Sequence, residues 1–135
     1  MTLPLEGRVA LVTGVGRRIA IGAAIARRLA GDGAAVLVHS WVPHDAEQPW
    51  GADPDGPEAV VDGIRAAGGR AEHFSADLGD PAAPARVVEA AGRAFGHVDI
   101  VVANHARSGA QTLEELTADE LDRCHAVNTL SLIHI

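Results

Sequence analysis

Thr13, Gly14, Gly16, Arg17, Arg18, Ile19 and Gly22 crowd into one short stretch that directly follows the apolar run Val9-Ala10-Leu11-Val12. Glycines in such a turn leave backbone N–H groups bare and let the chain approach a ligand closely. A helix that begins where the turn ends aims its positive pole and its unpaired N–H groups at the same point. The chemistry this suits is the binding of a phosphate belonging to a nucleotide cofactor. Arg17 and Arg18 add guanidinium groups able to grip a further phosphate through paired, charge-assisted hydrogen bonds. Further along lie a hydroxyl, Ser40, a carboxylate, Asp77, beside Leu78, an amide, Asn104, shortly before Ala106, and a second amide, Asn128. The literal pattern G-x-G-x-x-G is not met, because Ile19 stands where its third glycine would be.

These residues need elements to position them. Arg8–Thr13 reads as a first strand, and Ile21, Ala24, Ile25 and Leu29 fall at helical spacing, giving a helix over Ile19–Ala30 that Gly31 and Gly33 close. Ala35–Ser40 reads as strand 2. Trp41 to Gly56 is a polar loop broken by Pro43, Pro49 and Pro54. Pro57 opens a helix through Ala67, and Gly68-Gly69 ends it. Arg70–Ser75 is strand 3. Asp80-Pro81 caps a helix to Phe95 with Pro84 in its first turn, and Asp99–Ala103 is strand 4. Thr117-Ala118-Asp119-Glu120 has capping-box spacing and starts a helix carrying Leu121, Cys124, His125 and Asn128 on one face. Strands alternating with helices predict an α/β fold: a Rossmann-type doubly wound parallel sheet that stops after the fourth βα unit.

Composition narrows the partners. A net charge of −7 disfavours nucleic acid, since phosphate backbones are met by basic faces. No apolar run approaches the roughly 20 residues of a membrane span. Met1–Gly7 lacks a signal peptide's basic start and apolar core. One cysteine, Cys124, allows no internal disulfide, so the expected compartment is the cytoplasm. Cys124 reads as packing. The histidines lack zinc-site spacing, so no metal is expected. Asp45, Glu47, Asp53 and Asp55 read as solvated loop charges. Trp41 and Trp50 either stack on a base or pin the loop.

Taken in order, Thr13-Gly14, Ile19-Ala20-Ile21-Gly22, Asp77-Leu78, Asn104-His105-Ala106 and Asn128 resemble the short-chain dehydrogenase/reductase family over Leu5 to Thr129. The resemblance implies roles one residue at a time. Thr13 and Gly14 match the start of the family's T-G-x-x-x-G-x-G turn, and Gly22 matches its last glycine. Ala20 replaces the middle glycine in a turn two residues longer than usual, partly like the enoyl-carrier-protein reductases. Asp77 matches the acid that holds the adenine amino group, with a plain turn residue as the alternative, and Leu78 packs beside it. Asn104 matches the first Asn of N-N-A-G. Asn128 matches the helix Asn that holds a water in the proton relay, with a solvated or back-bonded side chain as the alternative. His105 and Arg107 depart from the N-N-A-G pattern.

The cofactor follows from charge. Enzymes that select NAD place an acid after strand 2, where this chain has His39-Ser40-Trp41. With Arg17 and Arg18 in the turn and Ser40 as an added hydroxyl donor, NADP(H) is favoured over NAD(H). The resemblance implies hydride transfer between nicotinamide and a small-molecule carbonyl or alcohol, with a 3-oxoacyl thioester as one substrate, in a parent that is a homo-oligomer. An enoyl-thioester reductase and a non-catalytic nucleotide sensor are the alternatives. The family's proton donor is a Tyr paired with a Lys, and this sequence has no Tyr, while all 11 of its basic residues are Arg. The expectation is therefore a cofactor-binding portion, residues 1–129, that is inactive alone, with residues 130–135 a translated sequencing adaptor and a genuine helix end as the alternative.

Overall fold

The computed structural model describes residues 1–135. In chain order the elements are β1 (Val9–Val12), α1 (Ile21–Gly31), β2 (Ala35–Ser40), α2 (Val42–Ala46), α3 (Gly56–Ala66), β3 (Arg70–Ser75), α4 (Ala83–Phe95), β4 (Ile100–Val102) and α5 (Ala118–His125). A π-helical turn over Ala126–Leu130 then leads into α6 (Ser131–His134). All strands pair in parallel in the order β3-β2-β1-β4. The chain winds outward from β1 to β3 and then crosses to the opposite side of β1. This reversal opens a crevice at the carboxyl ends of β1 and β4, where ligands bind in sheets of this kind.

The apolar character of β1 and β2 has a direct cause. Both are covered on two faces, so neither alternates with polar residues. Ala10, Val12, Val36 and Val38 point into a core shared with Ala23 and Ala26 of α1 and Val60, Val61 and Ile64 of α3. Leu11 and Leu37 point the other way, onto Val87 and Ala91 of α4 and onto Val127. Small alanines on α1 and α4 let both helices lie close to the sheet.

β2 and β3 have the ends read from the sequence, and the other elements differ from their expected bounds by a few residues. The polar loop after β2 contains the short helix α2, begun by Pro43 in its first turn. The capping box at α5 is half formed. Thr117 Oγ1 accepts the Glu120 N–H at 3.2 Å, but the Glu120 carboxylate does not return to Thr117. It is held instead by one edge of the Arg107 guanidinium, Nε and a terminal nitrogen each donating to one carboxylate oxygen at 3.0 Å, because a guanidinium fork holds a carboxylate more strongly than one backbone N–H does. No helix is long and apolar enough to cross a membrane.

Candidate functional site: the corner after the first strand

Thr13 leaves β1 buried, and its hydroxyl ties two strand ends together. Oγ1 accepts the N–H groups of Asn104 at 3.1 Å and His105 at 3.0 Å, which lie just past β4. Asn104 returns the contact: its amide Nδ2 donates to the carbonyls of Thr13 and Gly14, both at 3.1 Å. The first turn and the β4 loop are thereby one unit.

Gly14 has φ +77°, and a Cβ there would stand 2.7 Å from the Cα of His105. A Cβ on Gly22 would meet the Gly14 carbonyl and come within 2.8 Å of Asn104 Nδ2. Gly22 therefore lets α1 start hard against the strand end, the close helix–strand packing asked of the last glycine in a dinucleotide turn. Ala20, at the N-cap of α1, offers no side-chain acceptor, and the first turn of α1 carries no acidic residue. The helix N-terminus is thus left to meet an outside anion. Bare backbone, an uncapped helix and adjacent guanidinium groups fit a dinucleotide pyrophosphate.

Three histidines line the floor. His39 is fully buried, with Nε2 donating to the Ala76 carbonyl at 2.8 Å and Nδ1 accepting the Gly14 N–H at 3.4 Å. That fixes the neutral tautomer with its proton on Nε2. His105 packs edge-on to His39 at 5.2 Å between ring centroids and edge-on to His44 at 6.3 Å. Burial lowers the pKa of His39 to about 4, and burial together with the neighbouring rings lowers that of His105 to about 3. Both rings are neutral when folded and take up protons on unfolding below about pH 6.5, so stability falls as pH drops from there through 4 and 3. Asp53, Asp80 and Asp99 are held below the ordinary carboxylate range and add their loss only at lower pH. Thermal melts are therefore expected to show Tm falling steadily from pH 7 to 5, with His105→Asn flattening the slope. A constant or rising Tm over that range would contradict the neutral-ring assignment.

The structure distributes the remaining expected residues unevenly. Gly16 is buried in the turn, Ile19 is exposed beside it, and Ala106 is exposed at the mouth. Leu78 is buried against α4. Asp77 Oδ1 accepts the Gly79 N–H at 2.8 Å in a local turn, the plainer of its two readings, and its Oδ2 has no such partner. Ser40 corrects its expected role: it is fully buried, and its hydroxyl pairs with His73 Nε2 at 2.8 Å. Since β2 and β3 run in register at this end, Ser40 turns toward β3, and His73 is in turn held by Glu58 of α3 at 2.9 Å. The hydroxyl is thus withheld from the crevice. The Asn128 side chain is likewise engaged within the fold. Both ends of its side chain clamp the backbone of Arg107, accepting from N at 2.8 Å and donating to O at 2.9 Å. Its helix widens to π geometry there, a feature frequent at functional sites.

The segment from Trp41 to Asp55 was the least legible. Its acids are not simply solvated. Asp53 grips Arg18 through Nε at 2.8 Å and a terminal nitrogen at 3.0 Å, and it also accepts the Arg18 backbone N–H at 3.1 Å. The Asp45 carboxylate rests against Gly16, and its pKa is raised by burial. Glu47 lies 3.7 Å from Arg107. Arg17 sits 5.7 Å from the centre of the Trp50 ring and forms no ion pair. The turn side of the crevice, about 180 Å³, runs between Gly14, Trp41, Asp45 and His105, while an outer groove of about 590 Å³ is bounded by Arg17, Arg18 and Asp53. Trp50 borders both. Proline and tryptophan in a loop signal stiffness, but only the fold reveals which charges such a loop brings to the turn. No group of three or more His, Cys, Asp or Glu is placed to hold a metal ion.

Comparison with known proteins agrees with this geometry. Residues 8–135 match the family model described as short chain dehydrogenase. An uncharacterised oxidoreductase of Methylorubrum extorquens is 39% identical over 129 residues, covering 96% of this chain and 47% of that protein. A short-chain dehydrogenase from Burkholderia cenocepacia, solved in complex with NADP, superposes with a TM-score of 0.80 at 40% identity, over 96% of this chain and 48% of that one. A 3-oxoacyl (acyl-carrier-protein) reductase from Agrobacterium tumefaciens, with NADP bound, gives 0.79 at 38% identity, over 96% and 45%. The chain spans about half the length of the proteins it matches.

Proposed function

The chain belongs to the short-chain dehydrogenase family, and from that premise we propose that its first βα corner seats the pyrophosphate of NADP(H) in an oxidoreductase acting on a small carbonyl or alcohol. The observation that carries the reading is the pair Gly14 and Gly22, neither of which has room for a side chain, facing Asn104 across the crevice. Thr13 and Asn104 fix the corner, Gly14 lets the backbone pass close to the pyrophosphate, and Gly16 and the start of α1 supply N–H groups to it. Ile19 covers the turn from outside. Ala106 keeps the mouth beside β4 open toward the nicotinamide. Asp77 offers Oδ2 to the adenine amino group, with Leu78 packed beneath. Arg17 and Arg18 hold the 2′-phosphate. The cofactor, when bound, supplies or accepts a hydride at its nicotinamide ring. The π-widened turn at Asn128 departs from the regular helical hydrogen-bond pattern, which suits the holding of a water in a proton relay. The bound NADP of the Burkholderia and Agrobacterium proteins supports the cofactor, and the likeness to the latter, a 3-oxoacyl (acyl-carrier-protein) reductase, supports a 3-oxoacyl thioester as substrate. We take the working protein to be a cytoplasmic homo-oligomer.

Arg17→Ala separates the two cofactors, because a guanidinium free of carboxylate partners matters only to a ligand with the extra phosphate. The Kd for NADPH, read by calorimetry, is expected to rise about tenfold, the worth of roughly 1.4 kcal/mol, while that for NADH stays within about twofold. Equal changes for both would overturn the choice of NADP(H).

A further inference from the structure

We propose that Asp53 is a specificity-determining residue: an internal carboxylate seated on Arg18 that the 2′-phosphate of the cofactor must displace, and that thereby tempers the preference for the phosphorylated dinucleotide. The inference rests on the NADP(H) reading above and deepens it. Asp53 takes the Arg18 backbone N–H and two guanidinium N–H groups at 2.8–3.1 Å. Those are the donors an incoming phosphate would use, since a planar guanidinium edge and a turn amide serve carboxylate and phosphate alike.

The Asp53 carboxylate is not a passing surface contact. Its side chain is only 16% exposed, against 56% for Arg18. Its position is set from several directions. Gly56, whose N–H bonds the Asp53 carbonyl at 3.0 Å, lies so close to the Gly16 carbonyl and Arg17 Cα that it has no room for a Cβ. Trp50, three residues earlier, carries the Arg17 guanidinium against its ring. The loop is therefore docked on the turn at Gly16, Arg17 and Arg18 together, and Asp53 arrives at Arg18 as part of that docking.

The sign of the effect follows from the local charge. Arg17 and Arg18 bring two positive charges to the outer groove. Asp53 offsets one, and Asp45 and Asp55 stand near the same two arginines. A 2′-phosphate meets repulsion from these acids, whereas the 2′-hydroxyl of NADH does not. Removing the Asp53 charge frees the Arg18 fork and removes one repulsive partner. An amide at the same position still accepts the Arg18 backbone N–H, which keeps the loop docked. Water screens Arg18, so the gain is moderate.

The test is a calorimetric titration of NADPH and NADH into the wild-type chain and its Asp53→Asn, Asp53→Ser, Arg18→Ala and Arg18→Ala/Asp53→Asn variants, each first shown to melt cooperatively. Asp53→Asn and Asp53→Ser are expected to lower the Kd for NADPH about fivefold and to leave that for NADH within about twofold. The double variant should bind NADPH no better than Arg18→Ala alone, because the released fork is gone. NADPH binding that weakens in both Asp53 variants would make Asp53 a positioning residue for Arg18 and overturn the proposal, as would no change in either. A wild type that binds NADH at least as well as NADPH overturns the NADP(H) reading itself, and that outcome is visible before any Asp53 variant is compared.

Discussion

Gly22→Ala is expected to destabilise the chain by about 3 kcal/mol and to weaken dinucleotide binding more than about a hundredfold. The prediction runs against the usual rule. Alanine in a helix is favoured over glycine by about 1 kcal/mol, so a glycine in the first turn of α1 ought to be improvable. Here the added methyl has nowhere to go. It meets the Gly14 carbonyl and the Asn104 amide, both of them fixed by hydrogen bonds across the crevice. α1 must back away from β1, and the N–H groups of its first turn move with it. Gly63→Ala supplies the control. Gly63 lies inside α3 with nothing within 4 Å of an added Cβ, so there the substitution should stabilise by up to about 1 kcal/mol. Thermal or urea unfolding of the two variants checks the contrast: a Gly22→Ala chain as stable as Gly63→Ala would show that the corner is loose.

The second large effect is at Asn104. Replacement by Asp is nearly isosteric but turns a donor into an acceptor. An oxygen would face the Thr13 and Gly14 carbonyls at the 3.1 Å now spanned by two hydrogen bonds. A charged, partly buried group without a partner costs about 3 kcal/mol or more at neutral pH. The pH dependence gives a sharper signature. Repulsion raises the folded-state pKa of the new acid above its unfolded value, so the deficit shrinks as pH falls through that raised value and the group becomes a donor again. The gap in Tm between Asn104→Asp and wild type should therefore narrow on going from pH 7 to 5, even as the wild type loses stability through His39 and His105. A gap that is absent at pH 7, or that widens on acidification, would remove Asn104 as the link between the two strand ends.

The fold was legible because its determinants are local and periodic. β2 and β3 are bounded by turn-forming residues and filled by short runs whose ends the sequence marks, and the helices announce themselves by apolar spacing and by the glycines that close them. The glycine corner was legible for the same reason, as Thr13, Gly14 and Gly22 belong to one strand-turn-helix unit. What could not be read was pairing at long range. Ser40 and His73 meet because β2 and β3 are adjacent and in register, a fact of topology. Arg18 and Asp53 are 35 positions apart, and nothing periodic joins them. Glu120 has the spacing to complete a cap at Thr117, yet a guanidinium folded over from the β4 loop claims it. In each case local sequence supplies a plausible partner and the fold supplies a stronger one.

Arg17 and Arg18 illustrate the functional consequence. Adjacent and identical in type, they look equivalent in the sequence. In the fold Arg17 lies on an indole face, while Arg18 already holds a carboxylate. Two neighbouring cations thus come to differ in what they can offer a ligand.

The account stands or falls on whether the corner between β1 and α1 holds a dinucleotide. Titration of NADPH and of NADH into the purified, cooperatively melting chain, followed by calorimetry, tests this directly. Saturable one-site uptake, tighter for NADPH, is the predicted result; a folded chain that takes up neither dinucleotide would contradict it.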